Sequence, residues 1–260
     1  MLLILSVILF TGCTENDTSM KKGIFLHHST GYTVWLGKTN NYMYKVTNKG
    51  DVQKYIERYN RSNKTNYQIT ERFYPKKEPY GWKNYPYDYY NIWVKNSGNE
   101  PYLEEATLEI LTREYDLIIF KHCFPVSRIQ PDSGTPDIDS EIRSLENYKL
   151  QYDALREKMH QFPDNRFIIW TPAVNTQKLM TEDEAIRTRE FRDWVINEWD
   201  VKGDNIFVWD FYSYETEVGL YLAEKNAVSS ENSHPNVEFA EGVAPLFGQF
   251  IIDVFESRVE

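Results

Sequence analysis

Five short segments of the chain are nearly continuous in apolar side chains, and the longer stretches between them place apolar residues every three or four positions. The five, at residues 23–27, 67–73, 115–121, 166–171 and 205–210, are rich in β-branched or aromatic side chains and read as strands. Three of them, GIFLH, LIIF and FIIW, show no polar alternation. Strands of that kind are covered by helices on both faces. Helix-like segments lie at 51–61, which is short and polar, at 103–113 (Leu103, Ala106, Leu108, Ile110, Leu111) and at 139–162. In the last of these, Ile142, Leu145, Tyr148, Tyr152, Leu155, Met159 and Phe162 make one stripe. A helix over 181–199 opens with T-E-D-E, a cap followed by acids that complement the helix dipole, and a final helix spans 237–256.

Strand and helix in alternation predict right-handed crossovers and a three-layer α/β/α sandwich around a mainly parallel five-stranded sheet, with 23–27 central. Ligands of such sheets gather at the carboxyl ends of the strands, where strand order reverses. No fixed-period repeat or low-complexity linker divides the chain, so residues 21–260 form one domain. One stretch breaks the rhythm. Residues 74–102 carry Tyr80, Trp82, Tyr85, Tyr87, Tyr89, Tyr90 and Trp93 among Pro, Gly, Asn and Lys, without helical or alternating period. A loop of that length is functional or disordered, and its aromatic content argues against disorder. Aromatic faces with polar rims suit sugar rings, although the same rings also suit a lid packed onto the sheet.

Ahead of the domain, residues 1–20 read as a leader and tether. MLLILSVILF is too short to span a bilayer and fits a signal core, although no Lys or Arg precedes it. Thr11-Gly12-Cys13 resembles a lipobox, which makes Cys13 the expected lipidation site and predicts an exported protein held to the bacterial cell envelope by lipid alone.

Composition narrows the partners. A net charge of −10 without a Lys/Arg cluster excludes a phosphate backbone, so no nucleic acid is expected. Of the two cysteines, Cys13 is reserved for lipid, which leaves Cys123 without a disulfide partner.

The first strand runs into His28-Ser29-Thr30-Gly31, read as a small polar turn that sets a serine hydroxyl at the carboxyl end of a sheet strand. Serine needs a base for its proton and donors for the oxyanion. Glu231-Asn232-Ser233-His234-Pro235-Asn236, just before the last helix, offers the base: His234, oriented by Glu231 or, from the sheet side, by Asp210. Serine after the first strand and acid-x-x-His-Pro before the last helix resemble the first and last blocks of the SGNH/GDSL hydrolases. That resemblance implies a flavodoxin-like sandwich and an esterase acting through Ser29, His234 and Glu231. Where the family begins with Gly-Asp-Ser this chain has His27, His28 and Ser29, and Cys123 falls near the position of the family's oxyanion asparagine. A thiol is a poor substitute for an amide donor. Candidates for oxyanion or substrate contact are therefore His28, Gly31, Lys121, His122 and Cys123. Cys123 is also conceivable as a nucleophile, but reads better as a small buried hydrophobe. No metal or cofactor is expected, since His27, His28 and His122 lack metal-ligand spacing. The expected function is deacylation, in particular deacetylation, of a carbohydrate. The alternatives are a lipid or thioester acyl hydrolase with the same triad, and an inactive glycan-binding lipoprotein.

Overall fold

The computed structural model describes residues 19–259, so the leader reading of residues 1–18, Cys13 included, lies outside the described residues. In chain order the elements are β1 (Lys21–His27), α1 (Ser29–Leu36), α2 (Asn41–Thr47), α3 (Asp51–Asn63), β2 (Tyr67–Phe73), α4 (Pro86–Tyr90), α5 (Leu108–Glu114) and β3 (Leu117–Phe120). There follow α6 (Leu145–His160), β4 (Arg166–Trp170), α7 (Glu182–Trp194), β5 (Ile206–Trp209), α8 (Phe211–Thr216), β6 (Ala227–Ser229), β7 (Asn232–Pro235) and α9 (Val237–Phe255).

The first five strands form one parallel sheet in the order β2-β1-β3-β4-β5. This is the flavodoxin-like order, in which the chain reverses direction between β1 and β3 and leaves a crevice at their carboxyl ends. The middle strand is β3 rather than the first strand, which lies one place over, still flanked on both sides. Alternation along each strand builds two cores. Ile24, Leu26, Ile118, Phe120, Phe167 and Ile169 face α5, α6 and α7. Phe25, Leu117, Ile119, Ile168 and Trp170 face α1, α3 and α9. Both faces are covered, as the unbroken apolar runs require.

Several boundaries moved for local reasons. Thr107 takes the start of α5, because Leu103 and Glu104 adopt left-handed backbone and Tyr102 pairs with Glu105. Ser144 caps α6 through Asn147 N–H, which removes 139–144 from the expected helix. The cap of α7 is Thr181, with Glu184 returning to its backbone in the reciprocal arrangement that T-E-D-E announced. Two features were not expected. The insertion contains a helical piece, α4, extended by a wider turn over Asn91–Lys95. The segment ahead of α9 is an antiparallel hairpin, β6–β7.

Candidate active site

Ser29 is the first residue of α1, two positions beyond the end of β1 at the crevice, and is half-buried. The expected polar turn is thus the opening of a helix. No side chain caps that opening. The first N–H groups of a helix have no partner within it, and together with the helix dipole they favour an anion. Gly31 belongs to this first turn, where a Cβ would fall 2.5 Å from His27 Cβ and 3.0 Å from Lys121 Cδ. Glycine there lets α1 sit directly on the lysine.

Lys121 follows from strand geometry. Alternation beyond β3 carries it to the side of Leu117 and Ile119, the α1 side, while His122 falls on the side of Ile118 and Phe120. Lys121 is fully buried, and among the described residues its ammonium has one hydrogen-bond partner, Cys123 Sγ at 3.6 Å. The thiol in turn lies 4.0 Å from Ser29 Oγ. Burial lowers the lysine from its ordinary range, against the pull of Cys123 and Glu215. Glu215 is equally buried. Its Oε2 accepts the Val174 N–H at 2.6 Å, and its Oε1 has no partner among the described residues. Burial pushes this carboxyl up to about 8, with Val174 and Lys121 opposing.

His234 sits on β7, which packs against α1, and its ring meets Phe124 edge-on at 5.0 Å. Nδ1 lies 2.6 Å from Asn232 Oδ1, and the His234 backbone N–H reaches the same oxygen at 3.1 Å. A backbone N–H can only donate, so the Asn232 atom must be the oxygen, and the ring must present Nδ1–H to it. That tautomer leaves Nε2 as the bare nitrogen, the one able to take a proton. Burial, followed by the charge of Lys121, lowers His234 from its ordinary value and favours the neutral ring.

The group that holds the His234 ring is thus neither of the two acids considered. Glu231 is exposed and pairs with Lys178, while Asp210 is bound by Arg192, Ser213 and Thr171. The reason is the hairpin. Residues two apart on a strand share a face, so Asn232 and His234 point together, whereas a turn would have paired Glu231 with His234. Ser233, on the opposite face, is buried; its hydroxyl donates to Asn175 Oδ1 at 3.1 Å and accepts the Thr176 N–H at 3.0 Å, fixing β7 to the loop after β4.

Three of the expected contacts are engaged elsewhere. His28 Nε2 donates to Pro75 O at 2.6 Å, and burial lowers this ring to about 4. His122 has both nitrogens occupied, Nδ1 at 2.6 Å from Asn84 O and Nε2 at 2.8 Å from Tyr152 OH, and burial lowers it to about 3. Neither imidazole is free to serve an oxyanion. The Cys123 backbone N–H is likewise taken, donating to Asn84 Oδ1 at 2.7 Å. Asn84, from the insertion, also donates to Lys121 O at 2.5 Å and so secures the end of β3 from both sides. His27 faces Glu71, with Nε2 3.1 Å from Oε2, and among the described residues no group of His, Cys, Asp and Glu is arranged to hold a metal.

Ser29 and His234 thus face the same Lys121–Cys123–Phe124 segment from two sides, without a hydrogen bond between them among the described residues. Trp82 of the insertion, partly exposed, lies 6.2 Å from the Phe124 ring and brings an aromatic surface to this mouth.

No protein-family model matches the chain, and no curated protein matches it by sequence. Among solved structures it is similar to a carbohydrate esterase described as having an active site that "displays divergent catalytic and non-catalytic binding functions". The match has 11% identity and a TM-score of 0.39, and covers 90% of this chain and 65% of that one. The likeness assigns no residue and no reaction.

Proposed function

We propose that the protein is an exported, lipid-anchored serine esterase of the SGNH/GDSL type that deacylates a carbohydrate through an acyl-enzyme on Ser29. The observation that carries this reading is the placement of Ser29 at the β1/β3 crevice, with a neutral histidine across the same segment whose tautomer is fixed by Asn232. In this scheme His234 Nε2 takes the Ser29 proton as Oγ attacks the acyl carbon. The oxyanion is met by the uncapped N–H groups at the start of α1 and by the Lys121 ammonium, in place of the family's glycine and asparagine. The imidazolium then gives its proton to the departing sugar oxygen, and water, deprotonated by the same ring, releases the acid. Histidine with asparagine as its orienting partner is a workable variant of the triad. Empty sites often hold nucleophile and base further apart than the substrate complex does, which accommodates the missing Ser29–His234 bond. Trp82 and the aromatic insertion support a sugar as the alcohol part of the ester.

A second reading, a glycan-binding protein without catalysis, draws on the occupied Cys123 N–H and the absence of a formed Ser29–His234 bond among the described residues. One assay separates them. Purified protein should hydrolyse short-chain p-nitrophenyl esters, and Ser29→Ala should not. Equal rates for the two would overturn the esterase reading, and no hydrolysis by either would leave the binding reading.

A further inference from the structure

Between the insertion and the start of α6 lies a cavity of about 220 Å³, walled by Tyr85, Tyr87 and Asp88 on one side and by Arg143, Tyr148 and Gln151 on the other. Gln151 is 1% exposed. Its Nε2 donates to Ile138 O at 3.3 Å and to Ser140 O at 3.0 Å. Carbonyl oxygens only accept, so the amide nitrogen must face them and Oε1 must be the other atom. That Oε1 is buried and has no partner among the described residues. Buried acceptors without a donor are rare in folded proteins, and each calls for an explanation.

Asp88, also buried, uses Oδ2 to accept the Tyr85 N–H at 2.8 Å, and among the described residues Oδ1 makes no hydrogen bond. Two acceptors beside the cavity, Gln151 Oε1 and Asp88 Oδ1, are thus met by no donor among the described residues. Its aromatic wall is held in place, since Arg143 Nη1 donates to Tyr85 OH at 2.9 Å and the guanidinium lies 5.1 Å from the ring centroid. A ligand that fits must bring donors and an apolar face. The lining sets Arg143 and Lys83 against Glu141 and Asp88, so charge selects no ion, and uncharged hydroxyl groups supply the donors. The volume is below that of a typical drug-sized pocket and suits a single ring.

We propose that this cavity binds one sugar ring of a glycan, whose hydroxyls donate to Gln151 Oε1 and to Asp88 Oδ1 and whose C–H face lies against Tyr85 and Tyr87. Asn84, the residue before Tyr85, holds Lys121 O and the Cys123 N–H, so the cavity wall is tied to the strand end that faces Ser29. The proposal deepens the carbohydrate reading above and rests on it for the connection to the ester.

The test is calorimetric titration of xylotetraose, cellotetraose and chitotetraose into the Ser29→Ala protein. At least one should bind. Asp88→Asn and Tyr87→Ala should each weaken that binding tenfold or more, and Gln151→Met should abolish it, with circular dichroism confirming the fold. If Gln151→Met does not fold, the other two variants decide. Binding of none of the three sugars, or binding unchanged in Asp88→Asn and Tyr87→Ala, overturns the proposal. Wild-type hydrolysis of p-nitrophenyl acetate, measured alongside, reads the esterase separately. Activity without sugar binding refutes the subsite alone; sugar binding at this cavity without activity refutes the esterase and leaves the subsite standing.

Discussion

Replacing Asn232 by alanine removes the oxygen that accepts both from His234 Nδ1–H at 2.6 Å and from its backbone N–H at 3.1 Å. In the resting protein that oxygen holds a neutral ring. As Ser29 loses its proton the ring becomes cationic, and the Nδ1–H bond becomes charge-assisted, a class of bond contributing about 1.5–3 kcal/mol. Only the gain over the neutral bond of about 0.5–1.5 kcal/mol acts on kcat, about 1–1.5 kcal/mol, so at about 1.36 kcal/mol per tenfold in rate kcat should fall about 5- to 13-fold. KM should change little, since the interaction strengthens only in the transition state. Asn232→Asp should behave oppositely on pH. A carboxylate beside the ring raises the His234 pKa, so the acid limb of the kcat profile should move to higher pH while turnover above that limb is retained. The assay is steady-state hydrolysis of a p-nitrophenyl ester between pH 5 and 9, with Glu231→Gln as the control. Full activity in Asn232→Ala, or an equal loss in Glu231→Gln, would refute the assignment of the orienting role to Asn232.

Lys121→Met should lower kcat by removing a charged donor from the oxyanion. It should also move the acid limb upward, because the lysine charge helps to hold His234 below its ordinary value; an unmoved limb would exclude that coupling. Glu215 keeps its proton in the folded chain up to about pH 8, but has an ordinary value of 4.5. Between pH 6.5 and 8 the unfolded chain therefore binds fewer protons at this site than the folded one, and stability should fall with rising pH by up to about 1.4 kcal/mol per unit. Thermal melts of Glu215→Gln should show a flatter profile over that window, and a parallel profile would contradict the raised carboxyl. His122 shifts the other way, from 6.5 to about 3, so its stabilising contribution is present above pH 6.5 and is lost as pH falls. The stability gap between wild type and His122→Asn should accordingly narrow between pH 7 and 5, and a constant gap would count against a neutral buried ring.

The layered architecture was legible because both faces of the sheet are covered, so that GIFLH, LIIF and FIIW stand out from any amphipathic pattern. The placement of Ser29 just past the carboxyl end of the first strand was legible from the order of elements. Its surroundings were not, for identifiable reasons. Ser-Thr-Gly is turn composition, and the sequence gives no sign that α1 starts without a capping side chain. The choice between Glu231 and Asn232 depends on whether the segment is a turn or a strand, and Asn-Ser-His-Pro has little strand propensity. The N-x-H spacing was the available signal, since on a strand it places both side chains on one face. Asn84 reaches Cys123 from 39 positions away, out of a segment without period, and no local pattern announces such a contact. Lys121, just past β3, and Glu215, on α8, are both buried, against the usual expectation that charged residues stay outside.

The central claim is that Ser29 carries the acyl group. Incubation with a fluorophosphonate, followed by mass mapping of the labelled peptide, tests this most directly. The label should fall on Ser29, disappear in Ser29→Ala, and form far more slowly in His234→Ala. A label on Cys123 or elsewhere, or none on a folded protein that hydrolyses esters, would contradict it.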